Sequence, residues 1–194
     1  MVCSRRSLLL ASFALGACHS TPPLPELGAV PAFSLESQEG TPFGSKQLEG
    51  RVWAAAFMFT RCPTVCPRIT RFMQRLQRTA KSKGVDLRLL SISVDPDNDT
   101  PAVLKSYARR FDADLSSWTF LTGDFEAIKK TSEDGFKLAL EGRADPAAKD
   151  FGIVHGSHLV LIDRHAKIRG YYRTDDEQEA ARLLADAKRL SSKA

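Results

Sequence analysis

The stretch Val52-Trp53-Ala54-Ala55-Ala56-Phe57-Met58-Phe59-Thr60-Arg61-Cys62-Pro63-Thr64-Val65-Cys66-Pro67 decides the fold. Residues 52–59 form a short, nearly unbroken apolar run, as a central strand buried on both faces requires. Residues 67–83 place Ile69, Phe72, Met73 and Leu76 at i, i+3, i+4 and i+7, which is an amphipathic helix that Gly84 stops. Between them lies a pair of cysteines with three residues in the gap. A strand that feeds a cysteine pair at a helix N-terminus is the thioredoxin arrangement.

The same alternation of strand and helix extends outward. Upstream, residues 33–36 and 41–43 flank Gln38-Glu39-Gly40 and read as a hairpin. Downstream, residues 87–94 are the next apolar strand. Thr100 and Pro101 supply an N-cap and a proline at N1, and Val103, Leu104, Tyr107 and Phe111 mark one helical face. Residues 118–122 are strand-like, and residues 124–134 read as a helix ended by Gly135. Residues 158–162 and 168–173 are strands around a turn at 163–167. Asp176 with Glu179 resembles a capping box, opening a last helix with Ala180, Leu183, Leu184, Ala187 and Leu190 on one stripe. This order predicts an α/β, thioredoxin-like three-layer fold. A central mixed sheet is flanked by helices and preceded by an N-terminal β-hairpin.

The helix N-terminus gives the cysteine pair its chemistry. Unpaired N–H groups and the positive end of the helix dipole favour a thiolate, so both thiols are expected to ionise more readily than a free cysteine. Were residues 62–66 helical, both sulfurs would share one face. Two soft thiolates close together suit Cu(I) and can also oxidise to a disulfide. A merely stapling disulfide is the bland alternative, which the flanking prolines and the strand-to-helix junction disfavour. Zinc would ordinarily want four ligands, and the body of the chain offers no second cysteine pair.

Composition is that of one ordinary globular domain plus a targeting segment: 194 residues, 43% hydrophobic and 26% charged. Of 28 basic residues, Arg5 and Arg6 fall in the leader, which leaves 26 against 23 acidic ones. The basic residues read as spread along the chain and punctuated by acids, without the clustered stripe that nucleic-acid binding wants. Arg5 and Arg6, the apolar residues 8–15 and Leu15-Gly16-Ala17-Cys18 read as an export signal too short to span a bilayer. The Leu-Gly-Ala-Cys end resembles a bacterial lipobox. It implies residues 1–17 as signal peptide, a lipidated Cys18, a proline-rich tether over 18–30 and a folded domain over 31–194. The domain would then be held by its lipid on the extracytoplasmic side of a bacterial cell envelope.

Three segments resemble the Sco/SenC family, the thioredoxin-fold copper proteins of cytochrome c oxidase assembly. They are Phe59-Thr60-Arg61-Cys62-Pro63-Thr64-Val65-Cys66-Pro67, Ser93-Val94-Asp95-Pro96-Asp97-Asn98-Asp99-Thr100-Pro101, and His155 placed before Leu159-Val160-Leu161-Ile162-Asp163. The resemblance implies that Cys62, Cys66 and His155 bind copper, as Cu(I) or with an added ligand as Cu(II). It implies cytochrome c oxidase subunit II, or a similar copper-site protein, as partner. Asp95 either shapes the loop near the metal and supports its ligands or has no such role, and Asp99 is read first as a helix cap. Of the other histidines, His19 lies in the tether and His165 in a turn. In a continuous strand His158 would face away from His155. The leading expectation is a copper metallochaperone rather than an enzyme. The alternatives are a Cys62–Cys66 thiol–disulfide oxidoreductase that keeps a target's copper-ligand cysteines reduced, and, third, a peroxiredoxin-like peroxidase.

Overall fold

The computed structural model describes residues 22–142 and 154–192. Cys18, His19 and the leader lie outside the described residues. At the centre is β3 (Trp53–Met58), with all six residues buried. It runs parallel to β4 (Arg88–Ser93), which runs parallel to β5 (Trp118–Thr122). On its other side β3 pairs antiparallel with β8 (His158–Ile162), and β9 (Ile168–Arg173) closes that edge as a hairpin. The N-terminal hairpin of β1 (Ser34–Ser37) and β2 (Pro42–Gly44) adds antiparallel to β5. The seven-stranded order is β2-β1-β5-β4-β3-β8-β9, the mixed three-layer sheet that the sequence predicts.

The alternation of β3 separates the two faces. Trp53 and Phe57 both meet Phe136 edge-on, with ring centroids 5.8 and 5.3 Å apart. That face is covered by α4 (Phe125–Lys130) and the turn of wider helix that follows it, Thr131–Gly135. The opposite face presents the small Ala54 and Ala56. It is covered by α2 (Val65–Ser82), α3 (Pro101–Arg110) and α5 (Glu177–Ser191). Ser91 of β4, in register with Ala56, reaches the Met73 sulfur of α2 at 3.7 Å. Helices α2 and α3 are joined by a Thr70–Tyr107 hydroxyl contact of 3.0 Å and by Gln74 donating to the Phe111 carbonyl at 2.6 Å. Because β3, β4 and β5 are parallel, their carboxyl ends share one pole of the sheet, and the cysteines follow β3 at that pole.

Several local expectations change. Helix α2 starts at Val65, two residues earlier than the apolar spacing suggested. The segment 124–134 splits into a six-residue helix capped by Asp124 and the wider turn after it. Asp176 does cap α5, but the Glu179 carboxylate accepts from the Arg173 N–H at 3.3 Å. A short helix α1 (Ser45–Leu48) and a two-residue pairing of β6 (Leu140–Glu141) with β7 (Val154–His155) carried no usable periodicity. Residues 27–30 run beside the start of β9, with Leu27 and Val30 donating to the Ile168 and Ala166 carbonyls. Among the described residues no helix is long and apolar enough to cross a membrane.

Phe136, fully buried between two aromatic partners, is the anchor of the α4 side. Phe136→Ala is expected to cost about 3–5 kcal/mol through lost burial and a residual cavity. In a urea titration this reads as a lowered midpoint with an unchanged slope.

Candidate metal and thiol site

Residues 60–64 leave the end of β3 as an irregular loop whose shape is set by a buried carboxylate. Asp99, fully buried, accepts from the Thr60 N–H at 2.9 Å and the Thr60 hydroxyl at 2.5 Å. It also accepts from the Ser93 hydroxyl at 2.5 Å and the Asn98 amide at 2.7 Å. The cap of α3 is Thr100, whose side chain accepts from the Val103 N–H. The reading of Asp99 as a helix cap is therefore corrected: its partners lie on the cysteine loop and at the end of β4.

Asp95 is also buried, with 1% of its side chain exposed, and is ion-paired with Arg61 at 2.8 Å. A second contact comes from the Arg61 Nε at 2.9 Å. Burial pushes the Asp95 carboxyl up, and the adjacent guanidinium only partly offsets this. Arg61, the neighbour of Cys62 in sequence, thus has its charge held against Asp95.

The cysteines occupy unlike positions. Cys62 precedes the helix and is half-buried, and its sulfur accepts the Cys66 N–H at 3.4 Å. Cys66 lies in the first turn of α2, fully buried, and accepts the Phe59 N–H at 3.5 Å. Residues 62–66 are therefore not one helical turn, and the sulfurs do not line a common helix face. Neither is in a disulfide. For Cys62, burial raises the pKa, but hydrogen bonds from the N–H groups of Cys66, Thr64 and Val65 and from the Cys66 thiol together hold it below the ordinary cysteine value. For Cys66, burial dominates and drives the thiol well above that value, with the Cys62 and Asp99 charges adding to the rise. The expectation that both thiols ionise readily is corrected to Cys62 alone. A helix N-terminus assists an anion only where burial does not outweigh it.

His155 ends β7, its backbone paired with Leu140, and its side chain lies outside the described set. His158 starts β8, so the two histidines do not share a continuous strand. The alternation rule that set them on opposite faces does not apply. His165 lies in the turn between β8 and β9, at the pole away from the thiols. Beside the cysteine loop, Thr60, Val103, Ser106, Tyr107 and Arg110 line a groove of ≈ 250 Å³, which no motif in the chain marks.

A family model described as SCO1/SenC matches residues 24–191, nearly the whole described chain. The chain belongs to the SCO1/SenC family. It is similar to the SCO1 protein homolog of Bacillus subtilis (strain 168), 32% identical over 164 residues that cover 84% of this chain and 83% of that protein. The crystal structure of a SCO1/SenC family lipoprotein from Bacillus anthracis str. Ames superposes with a TM-score of 0.80 at 36% identity, covering 88% of this chain and 100% of that one. BsSco, described as a member of the Sco family of cytochrome c oxidase assembly proteins with a disulfide switch, gives 0.79 at 30% identity over 89% and 100%. Bradyrhizobium japonicum ScoI with copper bound gives 0.70 at 26% identity over 84% and 99%.

Two outcomes follow for this SCO1/SenC site. Iodoacetamide should alkylate the metal-free, reduced protein at Cys62 at least about tenfold faster than at Cys66 near pH 7, because the thiolate is the reactive form. The Cys62 rate should rise with pH with its midpoint below the ordinary cysteine value; peptide mapping across a pH series checks both. Asp99→Ala strands buried donors on Thr60 and Ser93, and should cost at least about 3 kcal/mol in chemical denaturation.

Proposed function

We propose that this chain is a lipid-anchored copper metallochaperone of the bacterial cell envelope. It holds copper through Cys62, Cys66 and His155 and delivers it to the copper site of cytochrome c oxidase, with subunit II as the receiving protein. The observation that carries this reading is the pair of thiols at the junction of β3 and α2, one already favoured as a thiolate by helix N–H groups. Soft thiolates are the donors that Cu(I) prefers, and an imidazole completes a trigonal set. Metal binding deprotonates its thiol ligands, so the raised Cys66 makes copper uptake release a proton and weaken as pH falls. Membership of the family and the copper-bound ScoI relative support the reading. The lipobox at Cys18 and the lipoprotein relative support the anchor. In this reading the buried Asp95 holds Arg61 away from the copper and stiffens the loop that bears Cys62.

A second reading rests on the unlike thiols. An accessible, low-pKa cysteine beside a buried, high-pKa partner is the nucleophile-and-resolver pair of a thiol–disulfide reductant. BsSco, with its disulfide switch, lends it support. The protein would then keep the target's copper-ligand cysteines reduced.

Copper titration separates the two. Cys62→Ser, Cys66→Ser and His155→Ala are each expected to weaken Cu(I) binding by at least about 100-fold, since each removes a ligand from a three-ligand site. His158→Ala should change it less than threefold. Equal losses in the two histidine variants would reject His155 as the ligand. Unchanged affinity in both cysteine variants would leave only the reductant reading.

A further inference from the structure

Residues 50–85 carry eight Lys or Arg residues and no Asp or Glu, and folding sets a second basic segment beside them. Helix α2 carries Arg68, Arg71, Arg75, Arg78 and Lys81 and no acidic residue, and α3 carries Lys105, Arg109 and Arg110 and no acidic residue. The two helices pack side by side on one face of the sheet, and both begin at the thiol pole. The absence of a basic stripe, inferred from the order of charges along the chain, is thereby corrected.

The stripe is not uniform. In the later turns of α2 the charges are matched, Arg75 by Glu177, Arg78 by Asp112 and Lys81 by Asp114, and in α3 Lys105 is matched by Glu39. Arg68, Arg71, Arg109 and Arg110 are exposed and take part in no ion pair among the described residues. Asp175 is the carboxylate near enough to feel Arg68. Two of these guanidinium groups are positioned by stacking. Arg110 lies 4.8 Å from the Tyr107 ring centre and 5.3 Å from that of Phe111, and Arg71 lies 5.9 Å from the latter. Arg110 also borders the groove beside the cysteine loop. The exposed Val65 and Val103 stand at the same pole.

We infer that this surface is a docking face for an acidic segment of a protein partner, presented to Cys62. This rests on the reading of the thiols as the functional site. Exposed valines beside arginines placed over aromatic rings suit a protein interface, where arginine is enriched over the rest of the surface. A bilayer would want a continuous apolar helix face turned outward, whereas Ile69, Phe72, Met73 and Leu76 of α2 are all in the core. Single-stranded nucleic acid would want exposed rings to stack on, and Tyr107 and Phe111 are buried. Matched opposite charge raises association rates and is screened by salt, which suits a transient encounter that must end in release.

The test uses the signal-free chain from residue 18 with Cys18→Ser, and two fluorescent, cysteine-free peptides, one rich in glutamate and one in lysine. At low ionic strength the glutamate peptide should bind at least about tenfold more tightly, and about 0.5 M salt should abolish the difference. Arg68→Glu with Arg71→Glu and Arg110→Glu should reverse the preference. Lys46→Glu with Lys188→Glu, which carries two charge reversals outside α2 and α3, should leave it in place. Circular dichroism confirms that both variants are folded. Equal binding of the two peptides, a preference retained by the triple variant, or tighter binding to phosphatidylglycerol vesicles or DNA overturns the inference. A disulfide-bearing glutamate peptide separates docking from chemistry. Cys62 attacks it to form a mixed disulfide and Cys66 resolves that bond. Two electrons and two protons pass to the peptide, and the protein is left with a Cys62–Cys66 disulfide. Binding without exchange would count against the reductant reading while the docking face stands; exchange at equal rates with glutamate and lysine peptides would do the reverse.

Discussion

The carboxylate of Asp99 is the joint on which the thiol site depends. It accepts from donors on Thr60, Ser93 and Asn98, and so ties the exit of β3 to the exit of β4. A buried carboxylate is tolerated only when its oxygens are supplied with donors. Cys62 lies two residues beyond Thr60, in a loop whose Pro63 has no N–H to contribute. Its position relative to the helix is therefore inherited from Asp99 as much as from the loop. Asp95 works alongside: its N–H donates to Ser93, and its carboxylate holds Arg61, so the acidic segment after β4 grips the cysteine loop twice.

Most of the architecture was legible because it rests on local patterns that tertiary packing reinforces. The run at 52–59, the spacing of Ile69, Phe72, Met73 and Leu76, and the Thr100-Pro101 cap each predict what the folded chain does. The site was less legible because its chemistry depends on depth. Asp99 and Thr100 are both competent caps by residue type, and only the convergence of β3 and β4 sends one inward. Cys62 and Cys66 stand at one helix terminus, yet one sulfur is half-buried and the other lies in the core. Burial is a property of the whole fold, so spacing could not assign them opposite shifts. The basic face was legible as well: residues 50–85 carry eight Lys or Arg residues and no Asp or Glu, with Arg68, Arg71, Arg75 and Arg78 at helical spacing, and only a charge balance taken over the whole chain conceals it.

The inequality of the thiols shapes either use of the site. A ligand pair with one member already inclined to ionise and one resisting it can capture a soft cation first at Cys62 and complete the site only as Cys66 gives up its proton. The same inequality sets the order of disulfide exchange, since the more accessible sulfur must attack and the buried one resolve. Copper capture and thiol reduction therefore make the same demand on the fold, a helix N-terminus that supplies N–H groups to Cys62 while the core closes over Cys66.

Short-range reactivity and long-range attraction are assigned to different groups in this protein. Arg61, the cation next to Cys62 in sequence, is bound to Asp95, so the Cys62 sulfur takes its stabilisation from neutral N–H groups. Those act only at contact distance and are little affected by salt. The exposed guanidinium groups of α2 and α3 act over about a Debye length and are screened by salt. A partner could thus be drawn in by charge and released as ions compete, while the thiol's readiness to ionise stays the same throughout. Had Arg61 been the source of both, any change that weakened the encounter would also have weakened the nucleophile, and affinity and reactivity could not have been adjusted separately.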